Sequence, residues 1–181
     1  MSRTSRLRWM LVLLVAFVGL DQATKYYAVT HWDGLHEQSL LGGILRIKLA
    51  KNDGAFLSML GNQSPTVRFA VLVIGNAIGM TVLAVILLRS SQIDRWTFFA
   101  WALVFVGGIG NLIDRVLIRA VIDFLIIGYG PIHTGIFNVA DMAITAGFLM
   151  LVPQIFMPQK SDKDAATSSE SPPAANPGTS T

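Results

Sequence analysis

Between Phe69 and Leu88 the chain runs through 20 residues without one charged side chain. A hydrocarbon core about 30 Å thick takes roughly 20 helical residues to cross, and a chain inside it must satisfy its own backbone polar groups. The run therefore reads as a membrane-spanning helix. Three other stretches share its character: Trp9–Val29, Trp96–Leu117 and Ile136–Phe156. Composition points the same way. Hydrophobic residues make up 52% of the chain and charged residues 14%, against about 25% charged in an average soluble domain. The expected fold is an all-α membrane protein with four transmembrane helices. A formal charge of +3 spread along the chain is no argument for nucleic acid, and with no cysteine there is no thiol catalysis, thiolate metal site or disulfide.

Arg3, Arg6 and Arg8 precede the first apolar run as they would in a cleavable leader. No small-x-small cleavage site follows, and the segment continues through Asp21 and Lys25 to Tyr26 and Tyr27 as interface anchors, so it reads as a retained span. Gly75 and Gly79 offer a small-xxx-small face for helix packing. Basic residues in the leader, in the Arg89–Arg95 loop and after Phe156 share one side by parity, which should be the cytoplasm, with both termini there. The Thr30–Arg68 loop then lies outside, and the alternation of Ile44–Leu49 predicts a short strand in a small extracytoplasmic β element. From Gln159 onward the chain is polar and should be disordered. The expected organisation is a four-helix membrane domain over 1–157 and a polar tail over 158–181.

Five charges lie inside the spans: Asp21, Lys25, Asp114, Arg115 and Asp141. Each costs at least ~2.5–3.5 kcal/mol at the bilayer centre, so such residues face a polar interior and have a task. The first and third helices run outward and the fourth inward. Residues late in the first two and early in the last therefore meet near the outer face. Asp123 joins them as one acid in the apolar segment Ala120–Ile127. Helical spacing sets Asn111 with Arg115 at i,i+4, Asn138 with Asp141 and Thr145 on one face, and Asp21 with Lys25 as an acid-first pair.

Each polar residue also has a structural reading. Asp21 and Lys25 can be an internal pair that lowers the insertion cost. Asp114 is expected to face the headgroups, and Arg115 can snorkel to lipid phosphate. Asp123 and Asp141 have no basic neighbour one turn away, so desolvation should raise their pKa values. Two such carboxyls held together share a proton, one acting as base on water and the other as acid toward a substrate carbonyl. Asn111 and Arg115 would then orient a substrate carboxylate or backbone carbonyl. His31, His36 and His133 make no zinc-protease motif, and no span contains serine. A proton- or ion-coupled carrier also uses intramembrane acids, but four helices without an inverted repeat are few for one. A structural subunit leaves the polar layer unexplained.

These residues closely resemble the motifs of bacterial lipoprotein signal peptidase, the signal peptidase II family of aspartic peptidases, from about Trp9 to Phe156. The carriers are Asp21-Gln-Ala-Thr-Lys25, Asn52-Asp-Gly54-Ala55, Gly107-Gly-Ile-Gly-Asn111-Leu-Ile-Asp-Arg115, Val121-Ile-Asp123-Phe124 and Phe137-Asn138-Val-Ala140-Asp141. The resemblance implies a membrane aspartic endopeptidase of the bacterial inner membrane. Its substrates would be prolipoproteins, cut just before the diacylglyceryl-modified cysteine near the extracytoplasmic face. Asp123 and Asp141 would be the catalytic pair. Asn111, Arg115 and Asn138 would support the site and position the substrate, with Asp21, Asn52 and Gly54 in the same site. No metal or organic cofactor and no obligate protein partner is implied; the partners are the lipid-modified substrate and membrane lipids. The family's outer loop forms a β-cradle, in keeping with Ile44–Leu49. In the outer-loop motif the aromatic, Phe56, stands one position early, and Val106 replaces a glycine before Asn111.

Overall fold

A computed structural model describes residues 1–54 and 64–156. The chain forms two compact units, Met1–Leu151 and Val152–Thr181. Of the second, only the end of the last helix is described. The early Phe56 and the tail over 158–181 lie outside the described residues.

Helix α1 (Arg3–Leu13) passes through a π-helical segment (Leu14–Val18) into α2 (Gly19–Trp32). Helix α3 (Pro65–Arg89) starts where the Ser64 hydroxyl accepts from the Val67 N–H at 3.3 Å, with Pro65 in the first turn, where its missing N–H removes no helical bond. Asp94 caps α4 (Arg95–Ile118) by accepting from the N–H groups of Trp96 and Thr97 at 2.7 and 3.1 Å. Helix α5 (Val139–Phe156) begins three residues later than the hydrophobic pattern predicts, because Asn138 serves as its cap. Among the described residues, three helical stretches can cross a membrane by length and composition, namely Arg3–Trp32, Phe69–Arg89 and Arg95–Ile118; the apolar stretch Val139–Gln154 is shorter.

The predicted strand is β2 (Leu45–Asn52), which belongs to a four-stranded antiparallel sheet with β1 (Gln38–Leu40), β3 (Val121–Tyr129) and β4 (Ile132–His133), in the order β1-β2-β3-β4. The outer-loop strand thus finds its partner in the segment after α4. Ile47 pairs with Leu125, but Ala50 pairs with Asp123, so β2 carries one extra residue between them. This bulge decides the site. Continued without it, the ladder would set Asn52 opposite Ala120 and turn its side chain away from Asp123. With it, Asn52 pairs with Val121 and shares the face of Asp123.

Two apolar clusters fix the ends of the molecule. Met10, Leu87, Phe98 and Ala102 join α1, α3 and α4 at one end. Ala28, Ile122 and Phe124 seat the sheet on α2 at the other. Between them many large apolar side chains point outward, Val15 and Ile78 among them, as lipid-facing residues do. The packing role expected of Gly75 and Gly79 is not observed among the described residues: none of them lies within 4 Å of where a Cβ would stand on either. The same helix meets α4 on another side, where Met80 packs against Gly108.

Candidate active site

Asp141 is the third residue of α5, and it and Asn138 cap each other. The Asn138 Oδ1 accepts from the Asp141 N–H at 2.9 Å, and the Asp141 Oδ2 accepts from the Asn138 N–H at 3.3 Å. This is a capping box, with Asp in place of the usual Glu at the third position. The box leaves the Asn138 Nδ2 free to point at the sheet. There it donates to Asp123 Oδ1 at 2.6 Å, with Asn111 Oδ1 at 3.1 Å and the Ile122 carbonyl at 3.3 Å also in reach. One fully buried asparagine therefore touches both carboxyl groups.

Asn111 on α4 makes the second link. Its Nδ2 donates to Asp141 Oδ1 at 2.7 Å, and its Oδ1 accepts from Lys25 Nζ at 3.2 Å as well as from Asn138. The other Asp123 oxygen accepts from Asn52 Nδ2 at 3.0 Å. Asn52 is itself held by an Asx-turn, since its Oδ1 accepts from the Gly54 N–H at 3.0 Å. Gly54 has a φ of +89°, and a Cβ there would press on Leu72, so only glycine closes that turn without strain. Asp123 is 3% exposed. Burial pushes its carboxyl up to about 6, and Asp141 acts in the same direction against hydrogen bonds from Asn52 and Asn138 and the charge of Lys25.

Behind this pair lies a buried ionic cluster. Lys25 Nζ lies 2.8 Å from Asp21 Oδ2 and 2.9 Å from Asp114 Oδ2. Asp21 Oδ1 accepts from the Ala140 N–H at 2.9 Å, tying α2 to the first turn of α5. Asp114 Oδ2 accepts from the Ile122 N–H at 3.0 Å, tying α4 to the residue before Asp123. Gln22 bridges the two acids, donating to Asp114 at 2.9 Å and to Asp21 at 3.2 Å. Asp114 thus does not face the headgroups as expected; it is 4% exposed and paired. Its carboxylate is drawn inward by a cation and two N–H donors that the linear sequence keeps far apart.

The helices approach closely enough for this only because of Gly110, where a Cβ would come within 2.7 Å of Asp21 Oδ2. Arg115 is half-buried. Its Nη1 donates to the Asn111 carbonyl at 3.2 Å, and its charge is felt by Asp141, Asp123 and Asp114. It makes no ion pair with any of the three among the described residues, which leaves guanidinium N–H groups for a bound substrate.

Asp123, Asp141, Asn111, Asn138 and Asn52 therefore form one hydrogen-bonded network. Gly54 acts on it through Asn52, Asp21 through Ala140 and Lys25, and Arg115 stands beside it. The sequence pattern of the signal peptidase (SPase) II family matches residues 13–157. The chain belongs to the signal peptidase II family. It is a membrane peptidase of the aspartic class that this family represents. The lipoprotein signal peptidase of Psychromonas ingrahamii is 34% identical over 152 residues, covering 84% of this chain and 86% of that one. That of Pseudomonas syringae pv. tomato is 36% identical over 163 residues, covering 88% and 93%. A solved structure described as a bacterial membrane enzyme, determined by the in meso method at 1.9 Å resolution, superposes with a TM-score of 0.70 at 27% identity, covering 84% of this chain and 94% of that one.

Gln22 and Asp114 belong to the buried ionic cluster, though the sequence motifs alone do not single them out as members. Gln22 lies inside the quoted Asp21–Lys25 motif, and Asp114 stands three residues after Asn111 on the same helix face. That spacing was the available signal.

Proposed function

We propose that this chain removes signal peptides from prolipoproteins, cutting immediately before the diacylglyceryl-modified cysteine, with Asp123 and Asp141 as the catalytic pair. The observation that carries the reading is Asn138, which donates to Asp123 and shares a capping box with Asp141. It is supported by the relatives, whose names describe lipoprotein signal peptidases.

With one proton between them, one aspartate takes a proton from water as the water oxygen attacks the scissile carbonyl carbon. The other gives its proton to the carbonyl oxygen. Collapse of the resulting diol breaks the C–N bond; the first aspartate protonates the leaving amine, and the second recovers a proton from the diol. Asn111 and Asn138 hold the carboxyls, Asn52 and Gly54 orient Asp123 from the sheet, Asp21 anchors α5, and Arg115 offers donors to a substrate carbonyl. In this reading the peptidase domain is 1–157, and four helices cross the membrane, α5 being the shortest. Both termini are cytoplasmic, and the site opens near the outer face of the bacterial inner membrane.

The test is incubation of purified protein with two precursor peptides, one diacylglyceryl-modified and one with a free cysteine. Cleavage of the modified peptide alone is expected, lost in Asp123→Asn and in Asp141→Asn while both variants stay folded. Processing by either variant would overturn the assignment.

A further inference from the structure

Arg6 is 3% exposed. Its Nη1 donates to the Leu87 carbonyl at 3.1 Å and also reaches the Ser90 carbonyl, and its Nη2 donates to the Ile93 carbonyl at 2.8 Å. The guanidinium thus gathers carbonyls at the end of α3 and the turn into α4, and it lies 5.8 Å from the Phe98 ring centroid. No carboxylate pairs with it among the described residues, and its Nε is buried without a hydrogen-bond partner. A buried cation answered only by neutral dipoles and one ring is an expensive arrangement.

Beside it lies a cavity of about 370 Å³ lined by Arg3, Arg6, Arg89, Ser90 and Ser91, with no acidic residue among the described lining. Arg3 and Arg89 are exposed and have no polar partner among the described residues. The cavity continues into an apolar groove of about 450 Å³ between α3 and α4, which shares Arg3, Leu88 and Arg89 with it and extends past Thr81 to Ala77. From Arg89 to Ala77 the groove runs about 18 Å along the helix, close to the ~15 Å depth of one leaflet. A cationic cup opening into an apolar channel one leaflet deep has the shape and charge of a phospholipid.

We propose that this end of the molecule binds an anionic phospholipid, with the phosphate held by Arg3, Arg6 and Arg89 and one acyl chain lying between α3 and α4. The site stands apart from the carboxyl pair: Phe98, whose ring lies 5.8 Å from Arg6, precedes Asn111 by about 20 Å of α4. Without an acid to pair a choline or ethanolamine cation, the cup favours a headgroup whose net charge is negative. Free inorganic phosphate would satisfy the cup but not the groove.

The test uses full-length protein purified in detergent. Bound lipid is measured by native mass spectrometry, and thermal stability is followed during titration with phosphatidylglycerol, phosphatidylcholine or inorganic phosphate. Retention and stabilisation are expected with phosphatidylglycerol alone. Arg3→Gln and Arg89→Gln should each weaken retention about fivefold, the scale of one basic contact to an anionic headgroup. Thr81→Trp, which fills the groove from an exposed position, should weaken it without touching the cup. Peptide cleavage in detergent should be unchanged in all three variants. Equal retention of phosphatidylcholine, stabilisation by phosphate matching that by phosphatidylglycerol, or full retention in the arginine variants would overturn the proposal.

Discussion

Asn138 and Asp141 satisfy each other's backbone across the first turn of α5, at 2.9 and 3.3 Å, and this leaves the Asn138 carboxamide nitrogen aimed at Asp123 at 2.6 Å. A helix cap and the bridge between two carboxyl groups are here the same residue. The capping pattern fixes the rotamer of Asp141, and the spare amide reaches the strand that carries the second carboxyl.

Two substitutions separate these duties. Asn138→Ala removes cap and bridge together, so it should cost about 0.5–2 kcal/mol of stability for the cap and nearly all activity. Asn138→Ser keeps an N-cap acceptor but cannot reach Asp123, so stability should recover and activity should not. Thermal unfolding beside peptide cleavage rates checks the split. A Ser variant that cleaves like the parent would show that the bridge is unnecessary.

The Asp123 carboxyl, raised by burial to about 6, predicts a pH profile. The proposed chemistry needs a proton on the pair, and Asp123 loses its proton as pH rises through about 6, so kcat/KM should fall there, with an apparent value that belongs to the pair. Stability follows the same direction. The folded state holds this proton more tightly than the unfolded chain, so the contribution is fully present below the ordinary value of 3.8 and is lost as pH rises through about 6. The Asn52 hydrogen bond opposes the shift, and Asn52→Ala should therefore move the alkaline limb to higher pH. A limb that stays in place would remove Asn52 from the site.

Gly110 reports on helix spacing. An added methyl would stand 2.7 Å from Asp21 Oδ2 and 3.2 Å from the Ala140 Cβ, and overpacking of this kind costs about 1–3 kcal/mol. Gly110→Ala should lower thermal stability and slow cleavage together, because the displaced Asp21 releases the Ala140 N–H and with it the start of α5. Gly75→Ala, where nothing among the described residues lies within 4 Å, is the control and should change neither.

Three of the apolar spans, and the meeting of Asp123 with Asp141 in one polar network, were legible in the sequence because charge is costly in lipid: a few acids in long apolar runs stand out. What was not legible arose from contacts distant in the chain. The segment Val121–Tyr129 is buried on both faces over its first four residues, so it shows no alternation and gave no sign of a strand. Asp114 looked like a headgroup residue because its partners, Lys25 and the Ile122 N–H, come from other elements. The extra residue in β2 that turns Asn52 toward Asp123 exists only relative to β3. The capping box Asn138-x-x-Asp141, by contrast, was visible as a local pattern, and it would have placed the start of α5 correctly.

Lys25 sits between two buried carboxylates, 2.8 Å from Asp21 and 2.9 Å from Asp114. Removing one member of a buried ionic group leaves an uncompensated charge, which costs about 3–5 kcal/mol, although replacing a whole group with apolar side chains is often neutral. Lys25→Met should therefore be among the most destabilising single changes near the site. The cost should shrink in Lys25→Met/Asp114→Asn, where one charge is gone and the asparagine oxygen still accepts from the Ile122 N–H. Lys25 also holds the Asp123 carboxyl down by its charge, so the surviving activity of the double variant should have its alkaline limb at higher pH. Thermal unfolding and pH–rate profiles of the two variants measure both effects. A double variant less stable than Lys25→Met would mean that the cluster is held by its hydrogen bonds more than by its charges.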